Sequence, residues 1–163
     1  MARDSQRSKV YAAEEFVRTM FDRADSRGNR TLEFFGTNVT LPPEARFGTV
    51  DSVQRYVDEV LAHPAVRDRW PGLAPVSVRG RRGQRAAHYE WSSDAATIAV
   101  PGRETNWALR ELVVLHELAH HVNQADPPHG PEFVATFCEL ASAVMGAELG
   151  YVLRMVYAKE GVQ

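Results

Sequence analysis

The chain has 163 residues and one cysteine, Cys138, so it can bury a core of ordinary size but cannot form an internal disulfide. Its start, MARDSQRSKVYAAEEF, lacks the apolar run of a signal peptide or membrane-spanning helix, which favours a cytoplasmic protein with no membrane partner. A formal net charge of −2 gives no overall attraction to nucleic acid. No repeat or linker divides the sequence, and we predict one domain over residues 1–163.

The first third of the chain combines helical and extended patterns. Residues 8–24 predict a first helix, because apolar side chains recur there on one stripe. The segment TLEFFGTNVTLPPEARFG predicts extended structure. Asp51 followed by Gln54 matches a capping box and predicts a second helix over DSVQRYVDEVLA. The predicted stripe of the first helix contains Val10, Ala13, Phe16, Val17, Met20 and Phe21.

The rest of the chain is predicted to form strands first and helices afterwards. Two or three short strands are predicted in APVSVRGRRGQRAAHYEWSSDAATIAVPG, the last of them near residues 96–100. A long helix over WALRELVVLHELAHHVNQA is predicted to begin at a Thr105 or Asn106 cap and to end at the following DPP. One or two helices follow, with Gly146 or Gly150 as an interruption. This order predicts an α+β fold.

The sequence HELAH, residues 116–120, places two histidines four positions apart on the long helix. At 3.6 residues per turn the two rings lie about 40° apart on one face, as two ligands of one metal must. Glu117 lies about 100° from His116, too far around to be a helical ligand but near enough to reach a water on the metal. The His and Glu content predicts about 0.02 accidental HExxH matches, so chance is a poor explanation.

A catalytic zinc ion usually has three protein ligands and one open position, so a third ligand is needed. His129, in PPHGPEF, is one candidate, since Gly130 lets the backbone pass close to the site. Asp126 is the other, because HELAHHVNQAD spells HExxHxxNxxD, with Asn123 at a position where a left-handed turn is needed. We favour His129, because neutral imidazole suits zinc and a loop histidine has little packing use. Asp126 stays open as the alternative.

HELAHH followed by HGPEF resembles the SprT-like group of HExxH metallopeptidases, within the gluzincin-like zincins, over roughly residues 96–140. The resemblance implies a zincin-like fold, in which a small mixed sheet packs on the HExxH helix and further helices complete the domain. It also implies that His129 begins an HGPxF segment whose phenylalanine, Phe133, packs beside the metal. Only eight residues separate His120 from His129, fewer than is usual in that family, and no four-cysteine zinc ribbon follows.

We therefore predict a zinc-dependent metallohydrolase, and within that class a peptidase acting on a peptide or protein substrate. One Zn²⁺ per chain would be held by His116, His120 and His129, with Glu117 as the general base. The strand near residues 96–100 would offer its edge to an extended substrate. Two alternatives stay open: a zinc-binding interaction module without turnover, and a DNA-associated SprT-like protease. The oligomeric state does not follow from the sequence.

Other polar residues have structural interpretations or weaker functional ones. His121 points about 100° away from His120 and is predicted to be no ligand. Cys138 lies in an apolar helical run and is predicted to be buried rather than nucleophilic. Three tyrosines are candidate donors to a developing oxyanion, namely Tyr89, Tyr151 and Tyr157. Four arginines of RGRRGQR would bind nucleic acid weakly at most: Arg79, Arg81, Arg82 and Arg85.

Overall fold

The computed structural model describes residues 2–81, 87–92, 95–101 and 109–163. Within these ranges the chain forms six helices and two small sheets, the mixed α+β architecture that the sequence predicts. The elements in chain order are α1 (Arg7–Arg27), β1 (Thr31–Phe34), β2 (Thr37–Thr40), α2 (Val50–Ala62), α3 (Pro64–Arg69), β3 (Val76–Arg81), β4 (His88–Ser92), β5 (Ala95–Pro101), α4 (Glu111–Val122), α5 (Pro131–Met145) and α6 (Ala147–Lys159).

The chain forms two compact units. The first comprises Met1–Pro43 and Gln124–Gln163, and the second comprises Glu44–Asn123. The first unit contains α1, the β1–β2 hairpin, α5 and α6, and the second contains the other helices and the second sheet. Among the helices of the described ranges, none is both long enough and apolar enough to cross a membrane.

In the first unit, α6 packs against both α1 and α5. The predicted stripe of α1 is buried except at Met20, which is half-buried, and Phe16, which is 41% exposed. Phe16 lies about 100° around the helix from the centre of the stripe, and its ring faces the ammonium of Lys159, 4.4 Å from the centroid. Its predicted place in the core is therefore wrong. The buried apolar residues of α1 are Val10, Ala13, Val17, Phe21 and Ala24.

The turn between α5 and α6 lies where one of the two predicted interruptions was expected. Gly146 adopts a φ of 111°, a conformation that L side chains rarely adopt, and it separates the two helices. Gly150 lies inside α6 instead, where an added Cβ would be 1.7 Å from Ser142 Oγ on α5. Gly150 therefore permits the close approach of the two helices rather than a break.

The N-cap of helix α2, in the second unit, lies two residues before the predicted cap Asp51. This residue is Thr49, whose hydroxyl accepts the backbone N–H of Ser52 in a box that Ser52 completes. Gln54 points to the sheet instead: its side chain donates to Val76 O at 2.9 Å and accepts from Val78 N at 2.7 Å. The predicted role of Gln54 as a cap is wrong, because two backbone groups of β3 bind its amide.

The sheet of the second unit is small and mixed, with the strand order β3–β5–β4 in the described ranges. β3 runs parallel to β5, and β4 runs antiparallel to it. Because β5 pairs along both of its edges, the predicted docking of a substrate strand on residues 96–100 is wrong. The outer edges of this sheet belong to β3 and β4.

Helix α4 packs against α2, β4 and β5, and its residues Glu111–Ala119 are all buried. The predicted caps Thr105 and Asn106 lie outside the described residues. The described helix begins at Glu111, directly after Arg110 forms an isolated bridge with Arg46. It ends at Val122, and its C-cap Asn123 has φ −128° and is extended, not left-handed as the Asp126 alternative requires.

A buried ion pair fixes the start of α4 in the second unit. The side chain of Glu44 is 0% exposed and receives the Arg110 guanidinium, with Nη2 at 2.6 Å and Nε at 3.0 Å. The same carboxylate accepts the backbone N–H of Leu112 at 3.1 Å, one of the donors that an α-helix leaves without an internal partner. Next to it, Glu111 accepts the amide of Ala45 and the hydroxyl of Tyr56.

Replacing Glu44 with Ala should lower the free energy of unfolding by about 3–5 kcal/mol, because it leaves a buried guanidinium without its carboxylate. Urea denaturation followed by circular dichroism measures the loss. The matched control is Asp25→Ala, which removes a partner of Arg30 in a pair whose side chains are both more than a third exposed. That control should cost at most about 1 kcal/mol. Equal and small losses in the two variants would contradict the assigned role of Glu44.

Candidate metal centre

Helix α4 presents two histidines whose imidazoles meet. The Nε2 atoms of His116 and His120 are 3.2 Å apart, and the ring planes are tilted by 72°. Two nitrogens that each lie about 2.0–2.1 Å from one tetrahedral zinc ion are themselves about 3.3–3.4 Å apart. The spacing between the two rings therefore fits two ligands of one metal. This geometry follows from the four-residue spacing on a regular helix.

The third histidine of the motif lies in the loop before α5. The loop ends at Gly130, the N-cap of α5, and Pro131 is the first residue of the helix. A Cβ on Gly130 would lie 3.1 Å from Pro127 Cγ and 3.3 Å from Pro127 O, so glycine permits the tight turn. His129 is 6% exposed at the end of this turn.

Several side chains of the first unit hold the His129 ring. Its Nδ1 lies 2.8 Å from Asp4 Oδ2, so Nε2 is the nitrogen that a metal would use. The ring of Phe133 packs edge-on against it, with centroids 5.2 Å apart, and the ring of Tyr11 lies at the same distance. The contact with Phe133 is the one that the HGPxF resemblance implies.

His116, His120 and His129 together form a group that could hold a metal ion. One ligand atom from each of the three lies within 4.8 Å of the other two. Asp126, the alternative third ligand, does not belong to this group in the described part of the chain. Its carboxylate is exposed and accepts the backbone N–H of Ala2 at 2.8 Å. The arrangement therefore favours His129 over Asp126 as the third ligand.

Glu117 lies between the two helical histidines and is only 5% exposed. Its neighbours Leu115 and Leu118 are fully buried. A carboxylate in such surroundings loses much of its hydration, which is costly unless charge or hydrogen bonds compensate. A metal ion on the adjacent histidines would supply positive charge close to this buried carboxylate.

His121 has a structural role within the second unit. Its Nε2 lies 2.7 Å from the carbonyl oxygen of Ala74 and must donate to it, so in the neutral ring Nδ1 accepts the hydroxyl of Tyr89 at 3.0 Å. Burial lowers the pKa of His121, which favours this neutral form. The ring thus connects α4 to β4 and to the segment before β3. Its predicted exclusion from the ligand set agrees with its absence from the three-histidine group.

The tyrosines and the cysteine have partners or surroundings that explain them without catalysis. Tyr157 is buried in the first unit and donates to Glu14 at 3.0 Å, and Tyr151 packs edge-on against Phe34. Burial raises the pKa of the Cys138 thiol to about 12, so it stays protonated and unreactive near neutral pH. Its predicted buried position is confirmed.

The structure describes only part of the predicted arginine loop. Arg82, Arg85 and the side chain of Arg81 lie outside the described residues. Arg79 is described, and its Nη2 lies 2.8 Å from Glu90 Oε1. The nearby carboxylate reduces the local positive charge that a phosphate backbone would require.

Comparisons of the chain with protein-family models, with curated proteins and with solved structures find no match. The resemblance to SprT-like peptidases therefore depends on HELAHH and HGPEF alone. In the described structure the Nε2 atoms of His116 and His120 lie 3.2 Å apart, and Phe133 packs on His129.

Sequence reasoning did not find Asp4, and it named Tyr89 only as a candidate oxyanion donor. Asp4 binds His129 across 125 positions of sequence, and Tyr89 binds His121 across 32. No spacing rule connects residues so far apart in the chain. The only sequence signal for Asp4 is general: a metal-binding histidine usually donates its second ring nitrogen to a carboxylate or carbonyl.

His129→Ala should weaken zinc binding by more than about 100-fold, because loss of a direct ligand should exceed the 10–100-fold typical of an outer-sphere partner. Asp126→Ala should change the affinity little, since that carboxylate contacts a backbone amide near the N-terminus. Competition with a chromophoric chelator measures both. The reverse order of losses would make Asp126 the ligand and the assignment of His129 wrong.

Proposed function

We propose that this protein is a zinc-dependent metallohydrolase of the zincin type that cleaves peptide bonds, as the SprT-like resemblance also implies. The observation that carries the proposal is the three-histidine group with a buried glutamate, Glu117, between two of its members. Three imidazoles with no thiolate are the usual donor set of a catalytic zinc with an open position, whereas structural sites use four ligands, often cysteine. The single cysteine, Cys138, lies on α5 and is not in the described group.

Zinc held by these histidines supplies two effects, polarisation of the scissile carbonyl and a lowered pKa, about 7, for a coordinated water. Three residues of the chain would hold the ion: His116 and His120 from α4 and His129 from the loop. The imidazoles are neutral ligands, so a bound ion would keep its full positive charge for polarising a carbonyl.

Glu117 accepts the proton of the attacking water in this proposal. Glu117 lies about 100° around α4 from His116, near enough to reach a water on a metal held by the two histidines. Burial keeps bulk water from competing for its carboxylate. After attack, the same group can return the proton to the leaving amine, as a general base that becomes a general acid.

The main alternative is a zinc-binding module without turnover. A module of that kind has no chemical use for a buried carboxylate beside its ligands, whereas a hydrolase needs a general base there. Glu117 at 5% exposure therefore favours catalysis. For the DNA-associated alternative, the one arginine of the loop whose side chain is described, Arg79, pairs with Glu90.

Glu117→Gln should leave zinc content and folding unchanged and lower zinc-dependent hydrolysis of dye-quenched casein by about 10²–10⁴-fold, because the amide keeps the shape but cannot accept a proton. The control is Glu111→Gln, a change in the other buried glutamate of α4, which binds Ala45 and Tyr56. That control should alter stability but not turnover per zinc-loaded molecule. A Glu117→Gln protein that keeps full activity, or that loses its zinc, would contradict the proposed mechanism.

A further inference from the structure

The segment before α1 makes a series of contacts with the loop that carries His129, all within the first unit. The backbone N–H of Ala2 donates to Asp126, and the side-chain amide of Gln6 donates to the carbonyl of His129 at 3.0 Å. Gln6 also donates to the carbonyl of Gln163 and accepts its backbone N–H. Together with the contact of Asp4, these hydrogen bonds hold residues 2–6 against the loop at Ala2, Asp4 and Gln6.

Asp4 makes the most specific of these contacts. Oδ1 accepts the backbone N–H of His129 at 3.3 Å, and Oδ2 lies 2.8 Å from Nδ1 of the same residue. One carboxylate thus binds both the backbone and the ring of one histidine. Two anchors of this kind restrict the rotation of the side chain about both of its torsions. The Asp4 side chain is 24% exposed and that of His129 is 8% exposed, so solvent screens the pair only in part.

The same contact determines which nitrogen of the neutral His129 ring carries the proton. A carboxylate beside Nδ1 stabilises the tautomer with its proton on Nδ1 and the lone pair on Nε2. The rings of Phe133 and Tyr11 also pack against the imidazole, each with its centroid 5.2 Å away. These contacts fix the direction of the Nε2 lone pair of His129 before a metal ion binds.

His129 needs such support more than its two companions. His116 and His120 take their relative position from the backbone of α4, where side chains four residues apart lie on one face. His129 lies in an irregular loop, and no helical repeat sets its direction. Contacts with other side chains must therefore supply the order that a helix supplies for the other two.

We propose that Asp4 is a positioning residue of the metal centre, and that through it the segment before α1 sets the affinity of the protein for zinc. Asp4 does not touch the ion. It orients His129 and keeps the loop in the conformation that completes the ligand set. This inference rests on the metal site of the proposed function, but it does not require that the protein hydrolyse peptides.

The test is the dissociation constant for Zn²⁺, measured by competition with a chromophoric chelator on the full chain. Asp4→Ala should weaken binding by about 10–100-fold, the usual effect of losing an outer-sphere carboxylate. Asp4→Asn keeps an acceptor oxygen but not the charge, and should lie between Asp4→Ala and the wild type. Asp25→Asn removes a carboxylate of the same unit that pairs with Arg30, and it should leave the constant unchanged.

A second measurement separates positioning from general loosening of the fold. In a His129→Ala background, Asp4→Ala should cause no further loss of zinc affinity, because its effect passes through that imidazole. The absorption spectrum of the Co²⁺-substituted protein should change in Asp4→Ala and stay as in the wild type in Asp25→Asn. If Asp4→Ala proves too unstable to purify, Asp4→Asn carries the same comparison, with Asp4→Glu as the variant that keeps the charge.

The outcomes distinguish this inference from the proposed function. Wild-type protein that folds but binds no zinc would overturn both. Zinc binding that is equal in the wild type and in both Asp4 variants would overturn the role of Asp4 and leave the metal site standing. Weaker zinc binding in the Asp4 variants, in a protein that hydrolyses no peptide, would support this inference and count against the peptidase.

Discussion

The cost of burying polar groups on one helix is the constraint on which the rest of the structure depends. Helix α4 carries glutamates and histidines at positions where almost every side chain is buried. Each such group must find a partner, because an ionised or hydrogen-bonding group removed from water without one is destabilising by several kcal/mol. Glu111 meets Ala45 and Tyr56, and His121 meets Ala74 and Tyr89. The helix is therefore held in place by its polar groups as well as by its apolar ones.

The three histidines of the candidate centre are positioned in different ways. The relative position of His116 and His120 is a property of helical geometry, so any sequence that forms α4 brings them together. The direction of His129 depends on a glycine that permits a tight turn, on ring contacts, and on the carboxylate of Asp4. A metal ion that binds only the folded arrangement stabilises it by mass action, and its binding should be sensitive to changes in the contacts that order the loop.

Local sequence patterns predicted the features that are determined by interactions over a few residues. The spacing of His116 and His120 and the break at Gly146 follow from rules that act over a few residues. Predictions of helix ends were less accurate. The N-cap of α2 is Thr49 rather than Asp51, and Gln54 binds the backbone of β3 instead of completing a capping box. The position of β5 between two partners, and the contact of Asp4 with His129, depend on chain segments far apart in sequence. Such pairings result from tertiary packing, and no periodicity in the sequence encodes them.

The most direct test of the three-histidine centre is X-ray absorption at the zinc edge of the purified, zinc-loaded protein. The account predicts one zinc ion per chain, a first shell of nitrogen and oxygen at about 2.0–2.1 Å, outer-shell scattering from three imidazoles, and one light ligand that is not from the protein. Sulfur at about 2.3 Å would contradict it, since that distance indicates a thiolate ligand. So would a closed shell of four protein ligands, or a folded protein that retains no zinc.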